Sequence, residues 1–555
     1  MRNSLQAAGM ALLLLTACRS QQPVAGLPSP PQNQSSYTDR PKLVVGIIID
    51  QFRPDYLQRF YAQFGAGGFR RLMTKGYYNR NTHYNYVPTV TGPGHASVYA
   101  GTTPAVHGIV ANSWYSRELG RALYCAEDTL VKPVGSETGA GKRSPRNLLA
   151  TNISDALKLS TNGQGKVVGV AVKDRGAIMP AGHLADGAYW FDSKEGRFIS
   201  STYYMEALPE WVNHFNARQL PQQYMDSTWH TLLPLTAYEG PDETPYERVF
   251  QGKQSAVFPY DLRELGKANG GYGLLTYTPY ANTMVTELAM AAVAGEGMGQ
   301  DEVPDLLALS YSSTDILGHS FGPRSVEVQD MYLRLDRDLE HLLAYLDHTV
   351  GQGAYAVFLT ADHAAAEVPR YLTDRKVPAG YFSQKGMRGP AEDFLRKAYG
   401  VEGLVAYVTN QQVYLNRAVV RENGLDLHEV QQKLAGFLRE MDGVMAVYTG
   451  GELQQRGYPA GNPRLLQKGY HYKRSGDVFL VLEPGWLDGG KVGTTHGTGY
   501  NYDTHVPLLW YGWRIKPGSS ARKQSITDIA PTLSFMLDIM LPSGADGEPI
   551  LEVLP

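Results

Sequence analysis

Asp315 and His319 stand four residues apart in Ser313-Thr314-Asp315-Ile316-Leu317-Gly318-His319. On a helix that spacing puts both side chains on one face. An oxygen donor beside a nitrogen donor suits zinc, though the pair also fits a capped helix with a surface His. Asp362 and His363 follow Thr360-Ala361 at the end of an apolar run. Where a strand ends and the chain turns, neighbouring ligands can both reach metals; the Asp could equally cap the next helix. His496 lies between glycines in Gly493-Thr494-Thr495-His496-Gly497-Thr498, as a ligand or as a plain turn residue. Pro88-Thr89-Val90-Thr91-Gly92-Pro93-Gly94-His95-Ala96-Ser97 sets hydroxyls in a Gly/Pro-rich turn before an apparent helix. Helix N-termini attract phosphate, and a metal-bound Thr hydroxyl can ionise near neutral pH and attack phosphorus. No one of these segments decides the chemistry alone.

The elements that must hold these residues are legible as apolar runs. Residues 43–49 read Leu-Val-Val-Gly-Ile-Ile-Ile, as a strand buried on both faces of a parallel sheet does. Similar runs occupy 167–172, 306–309, 354–359 and 507–511. Val328, Tyr332, Leu335, Leu339, Leu342 and Leu346 recur three or four apart and predict a helix, and 526–537 reads as another. Alternation of this kind implies an α/β sandwich with a central, mostly parallel sheet flanked by helices. Ligands of such sheets gather beyond the carboxyl ends of the strands. Asp50, the pair Lys173 and Arg175, Asp315, and Asp362-His363 each follow a strand, so four segments deliver polar groups to one edge. Residues 380–491, with short strands around one helix, read as a small α+β insertion, and the Trp/Tyr/Pro-rich stretch 189–272 as an irregular one. The core is then 41–379 with 492–555.

Composition narrows the class. The 555 residues are 43% hydrophobic and carry a net charge of -3, with no Lys/Arg block along a helix, so a nucleic-acid partner is not expected. Arg2 and the short apolar run 10–15 read as an export signal, too short to remain as a membrane helix. It ends in Leu15-Thr16-Ala17-Cys18, which resembles a bacterial lipobox, so residues 1–18 are expected to be a lipoprotein signal with Cys18 lipidated. Residues 19–40, rich in Gln, Ser and Pro, read as a tether. The expectation is an exported, periplasmic lipoprotein anchored to the outer membrane through its lipid alone, with no protein partner evident. Cys125, the second of two cysteines, reads as a buried small residue.

Taken together, Asp50, the Thr91 turn, the Asp315/His319 and Asp362-His363 motifs and the His496 loop resemble the alkaline phosphatase superfamily, most closely its PafA-type branch with a Thr nucleophile. The resemblance runs from Lys42 to about Leu551 and includes Thr527-Asp528-Ile529-Ala530-Pro531-Thr532 and Asp546-Gly547. It implies two Zn2+ ions: Asp315, His319 and His496 holding one, and Asp50, Asp362 and His363, with Thr91, holding the other. It implies a phosphothreonine intermediate at Thr91 and a phosphate-binding role for Asn112. Lys173 and Arg175 share a strand parity and should point the same way. Two cations side by side favour a dianion, and in the PafA-type branch this pair contacts phosphoryl oxygens. Small-molecule phosphate monoesters are therefore the expected substrates, with Asp174 between the cations pointing away. A nucleotide phosphodiesterase or pyrophosphatase on the same scaffold, and a non-catalytic zinc-binding lipoprotein, are the alternatives.

Overall fold

A computed structural model describes residues 40–554. The expected signal, lipidated Cys18 and tether lie outside the described residues, Arg40 excepted. The strands and helices that position the site are, in chain order, β1 (Leu43–Ile49), β2 (Tyr77–His83), α1 (Thr91–Ala100), β3 (Val167–Ala171), α2 (Asp174–Ala181), β4 (Gly187–Asp192), β5 (Arg197–Ser201), β6 (Asp305–Tyr311), α3 (Ser313–Phe321), α4 (Val326–Leu346), β7 (Tyr355–Thr360) and β8 (His505–Gly512). An eleven-stranded sheet runs β2-β8-β7-β1-β6-β3-β4-β5 through its middle, with short strands at both edges. Its centre is parallel: β1 pairs with β6 and β7, β6 with β3, and β3 with β4. All seven residues of β1 are buried, as its unbroken apolar run requires.

Two expectations are corrected here. The run at 507–511 does become a strand, but β8 lies antiparallel to both β7 and β2; an apolar run records burial on two faces, and a mixed sheet buries antiparallel strands too. The stretch 189–272 does not begin as an irregular insertion. Tyr189 to Asp192 finish β4, and β5 adds antiparallel to it. Tyr-Trp-Phe is strong strand-forming sequence; the short and irregular elements start after Ser201.

Residues 382–482 build a second apolar cluster around a four-stranded sheet of Val405–Thr409, Gln412–Leu415, Val478–Leu482 and Val444–Thr449, backed by the helices Gln384–Tyr399 and Leu427–Arg439. This layer touches the region of Asn112. Asn410 Nδ2 donates to the Ser113 carbonyl at 2.8 Å, and Tyr407 stacks on Tyr115 with centroids 5.5 Å apart. The Arg474 guanidinium donates at 2.6 Å to the carbonyls of both Gly108 and Asn147 and lies over the Trp114 ring.

Candidate active site

The carboxyl ends of β1, β6 and β7 meet at one edge and deliver Asp50, α3 and Asp362-His363 there. Asp50, Asp362 and His363 are fully buried, and Asp315 is nearly so. Gln51 ties two of these groups together: its backbone N–H donates to Asp362 Oδ1 at 3.1 Å and its Nε2 to Asp315 Oδ1 at 2.7 Å. It does so with φ at +62°, a left-handed conformation uncommon for a side chain of this size. Thr314 Oγ1 donates to the Asp50 carbonyl at 2.6 Å, which fixes α3 on the end of β1.

Thr91 does not precede a helix; it is the first residue of α1, all ten residues of which are buried. Gly94 lets that helix approach the ligand strand end, since a Cβ there would stand 2.5 Å from the Asp362 carbonyl oxygen. The Gly92 N–H donates to Asn112 Oδ1 at 2.7 Å. Since an N–H can only donate, the atom facing it is oxygen, and the Asn112 amide NH2 is the end left for another acceptor. Arg175 Nη2 donates to Thr91 Oγ1 at 3.4 Å. Thr91, Asn112 and Arg175 thus surround the start of one helix.

Lys173 and Arg175 do not share a strand. β3 ends at Ala171, Lys173 caps α2 and Arg175 lies in its first turn. They still converge, by separate routes. Lys173 Nζ donates to Asp50 Oδ2 at 2.8 Å and to Asp315 Oδ2 at 2.5 Å. Arg175 Nη1 donates to the Tyr124 hydroxyl at 3.1 Å. Asp174 does not point away unused. It accepts from Tyr124 Oη and, at 2.7 Å, from Arg143 Nε. The chain Arg143–Asp174–Tyr124–Arg175 therefore aims the guanidinium.

The donor set fits a metal. His319, His363 and His496 each place Nδ1 against a backbone carbonyl, those of Thr494, Ala364 and Thr89, at 2.9, 3.0 and 2.7 Å. A carbonyl accepts only, so Nδ1 carries the proton in each neutral ring and Nε2 keeps its lone pair. Asp362 Oδ2 and His363 Nε2 are buried with no hydrogen-bond partner, which a cation between them would relieve. Burial, reinforced by Asp362, pushes the Asp50 carboxyl up against the opposing pull of Lys173. Burial pushes the His496 ring down to about 4. Asp315, against the effect of burial, is held well below the usual carboxylate range by His319 and Lys173.

Asp315, His363 and His496 bring one donor atom each within 4.8 Å of one another, and so do Asp50, His95 and Asp362. His363 stands between the two groups: its ring lies on that of His496 with centroids 3.4 Å apart, and its Nε2 is 3.2 Å from Asp362 Oδ2. His319 Nε2 reaches Asp315 Oδ1 at 3.2 Å. His95 has both nitrogens engaged, Nδ1 by the Thr91 carbonyl and Nε2 by Ser310 Oγ, each at 2.9 Å. We therefore read it as a support for Thr91 and Ser310, and Ser310 Oγ in turn donates to Asp50 Oδ1 at 3.1 Å. Gln51, Tyr124, Ser310 and the role of Asp174 were not found in the sequence. A Gln directly after the strand-end Asp50 was the one available hint. Cys125 is buried, and burial pushes its thiol up to about 12, so it offers no nucleophile.

A strand-end cluster of acids and histidines around a helix-borne Thr defines a hydrolase of phosphate esters by fold and donor set, and the chain belongs to the type I phosphodiesterase/nucleotide pyrophosphatase family, whose model matches residues 44–505. Within that family its full-length likeness is to the PafA-type alkaline phosphatases. Alkaline phosphatase PafA of Elizabethkingia meningoseptica is 44% identical over 520 residues, 93% of this chain and 95% of that protein. A protein of Myroides odoratus described as a calcium-transporting ATPase is 43% identical over 526 residues, 94% of this chain and 96% of its own length. No helix of the described residues is long and apolar enough to cross a membrane. The crystal structure of wild-type alkaline phosphatase PafA matches with a TM-score of 0.90 at 43% identity, covering 93% of this chain and 99% of that one. A second structure, equally similar in sequence, is of a variant of that enzyme substituted at one Thr, one Asn, one Lys and one Arg.

Proposed function

We propose that this protein hydrolyses phosphate monoesters to an alcohol and inorganic phosphate, with Thr91 as nucleophile. The observation that carries the reading is the convergence of the Thr91 hydroxyl, the free amide end of Asn112 and the Arg175 guanidinium at the N-terminus of α1. The alkaline phosphatase relatives support it. So does the variant of PafA, whose altered Thr and Asn, and whose altered Lys and Arg, are spaced as Thr91 and Asn112, and Lys173 and Arg175, are here.

Asp315, His319 and His496 would hold one zinc, and Asp50, Asp362 and His363, with Thr91, a second; His363 faces both donor groups. When bound, zinc supplies Lewis-acid stabilisation of charge on the attacking and leaving oxygens. Thr91 Oγ gives up its proton to solvent and forms a bond to phosphorus as the bond from phosphorus to the ester oxygen breaks, and the alcohol departs with a proton from solvent. Water then cleaves the phosphothreonine, releasing phosphate and restoring the hydroxyl. Asn112 and Arg175 donate to the nonbridging oxygens, and Lys173 holds Asp50 and Asp315 in place while facing the same site.

The pair Lys173 and Arg175 favours a monoester dianion over a diester, which has an alkyl group in place of one charged oxygen. That contrast separates this reading from a nucleotide phosphodiesterase, and turnover itself separates it from a non-catalytic zinc protein. The test compares a monoester and a diester of the same alcohol with zinc-loaded protein; a higher kcat/KM for the diester would sink the reading. Export and lipidation at Cys18 belong to the same proposal, motivated by the run Leu15-Thr16-Ala17-Cys18. Mass spectrometry of the mature N-terminus decides it, and a mature chain that begins well beyond Cys18 refutes the anchor.

A further inference from the structure

We infer that Arg248 forms a second anion subsite, which selects phosphate monoesters whose alcohol carries its own negative group, a carboxylate or another phosphate. The inference rests on the monoesterase reading above. A cavity of about 490 Å³ opens beside the site, and Lys173, Arg175, Asp315 and His319 share its wall with Arg248 and Tyr277. Arg248 comes from the irregular segment after β5, yet it is not loosely placed. Its backbone N–H donates at 2.9 Å to the carbonyl of Ser320, in the last turn of α3. The helix that carries Asp315 and His319 therefore also fixes the start of the Arg248 side chain.

The guanidinium of Arg248 has no hydrogen-bond or ion-pair partner among the described residues. Two arginines of the separate cavity lined by Tyr246 and Glu247 do: Arg59 pairs with Glu239 and Arg324 with Glu367. Asp315 is the one carboxylate in the cavity wall, and it is already engaged by Gln51, Lys173, His319 and His496. The cavity wall thus carries an exposed, uncompensated guanidinium beside the phosphate-binding groups. The planar fork suits a carboxylate or a phosphate. The ring of Tyr277 offers an apolar wall to the part of the alcohol between the two anions.

The test uses two aryl phosphates that differ only in a carboxylate or a carboxamide on the ring. Zinc-loaded full-length wild type, Arg248→Ala and Arg248→Lys are compared by kcat/KM on both. An exposed charged contact supports a modest effect, so Arg248→Ala is expected to lower the carboxylate-to-carboxamide ratio about threefold to fivefold, chiefly through KM. Arg248→Lys is expected to keep part of the preference, and raised salt to weaken it in wild type. The carboxamide substrate in each variant controls for folding and zinc content. A ratio that moves less than about 1.5-fold in Arg248→Ala, against the threefold to fivefold expected of such a contact, overturns the subsite while leaving the monoesterase intact. Failure of wild type to turn over either substrate overturns both.

Discussion

Tyr124 touches neither Thr91 nor a metal ligand, yet its hydroxyl links Arg175 to Asp174. Removing that hydroxyl leaves a charged, half-buried guanidinium less tightly aimed, at a cost of about 1–3 kcal/mol if the bond is lost outright. Tyr124→Phe is therefore expected to lower monoester kcat/KM about tenfold while leaving diester hydrolysis little changed. Equal losses on both substrates would show that Tyr124 serves folding alone. Thr91→Ala is expected to abolish turnover with zinc content and thermal unfolding unchanged, and Thr91→Ser to retain part of the activity; unaltered rates in Thr91→Ala would remove the nucleophile assignment. Residues of this site were legible in unequal measure. Asp315/His319 and Asp362-His363 announce themselves through donor chemistry at ligand spacing. Tyr124 and Ser310 act on partners 51 and 260 residues away, and the Arg248 guanidinium on none among the described residues, and one sequence contains no spacing that reveals such contacts.

At the scale of elements, the apolar runs foretold β1, β3, β6 and β7 and the edge they share, because a strand buried on both faces excludes polar residues. Strand direction left no mark on composition, so β8 was legible as a strand but not as an antiparallel one, and the aromatic β4 was taken into an irregular insertion. The helix start at Thr91 was also hidden, since Gly92-Pro93-Gly94 reads as a turn although Pro is at ease in a first helical turn. The layer built by residues 382–482 braces the Asn112 segment chiefly through Arg474, whose two backbone acceptors lie at Gly108 and Asn147. Arg474→Ala strands both carbonyls and uncovers Trp114. The expected outcome is a stability loss of roughly 2–4 kcal/mol in denaturant unfolding, with kcat/KM reduced as Asn112 loosens. A variant with native stability and native kcat/KM would mean the layer is no brace.

For the molecule as a whole, the buried carboxylates predict dependence on cations. Chelation is expected to abolish activity and lower Tm by several degrees, with zinc restoring both; activity that survives exhaustive chelation would contradict the two-metal proposal. A separate acid limit comes from His107, which is no part of that cluster. Its Nδ1 accepts from the Ile109 N–H and its Nε2 faces Ser97 Oγ. Burial, with Arg474 adding to it, pushes its ring down to about 3. The folded chain therefore resists a proton that the unfolded chain takes up near 6.5, so stability falls as pH drops from about 6.5 towards 3, by up to about 1.4 kcal/mol per pH unit. Above that window the ring is neutral in both states and contributes no slope. Denaturant unfolding of wild type and His107→Asn across this range should show a shallower acid slope in the variant; identical slopes would remove His107 from the account.

The wide spread of the proposed ligands along the chain bears on how the protein is made. Asp50 leaves a ribosome 446 residues ahead of His496, which follows the whole 382–482 layer. A nascent chain stopped before His496 lacks that donor and also β8, the strand between β7 and β2. Such a fragment can hold metal only through an incomplete set and has a gap in its main sheet. Metal capture by the full proposed set would then report that translation has passed β8, and chains truncated before it would be left open to proteolysis in place of joining the working pool.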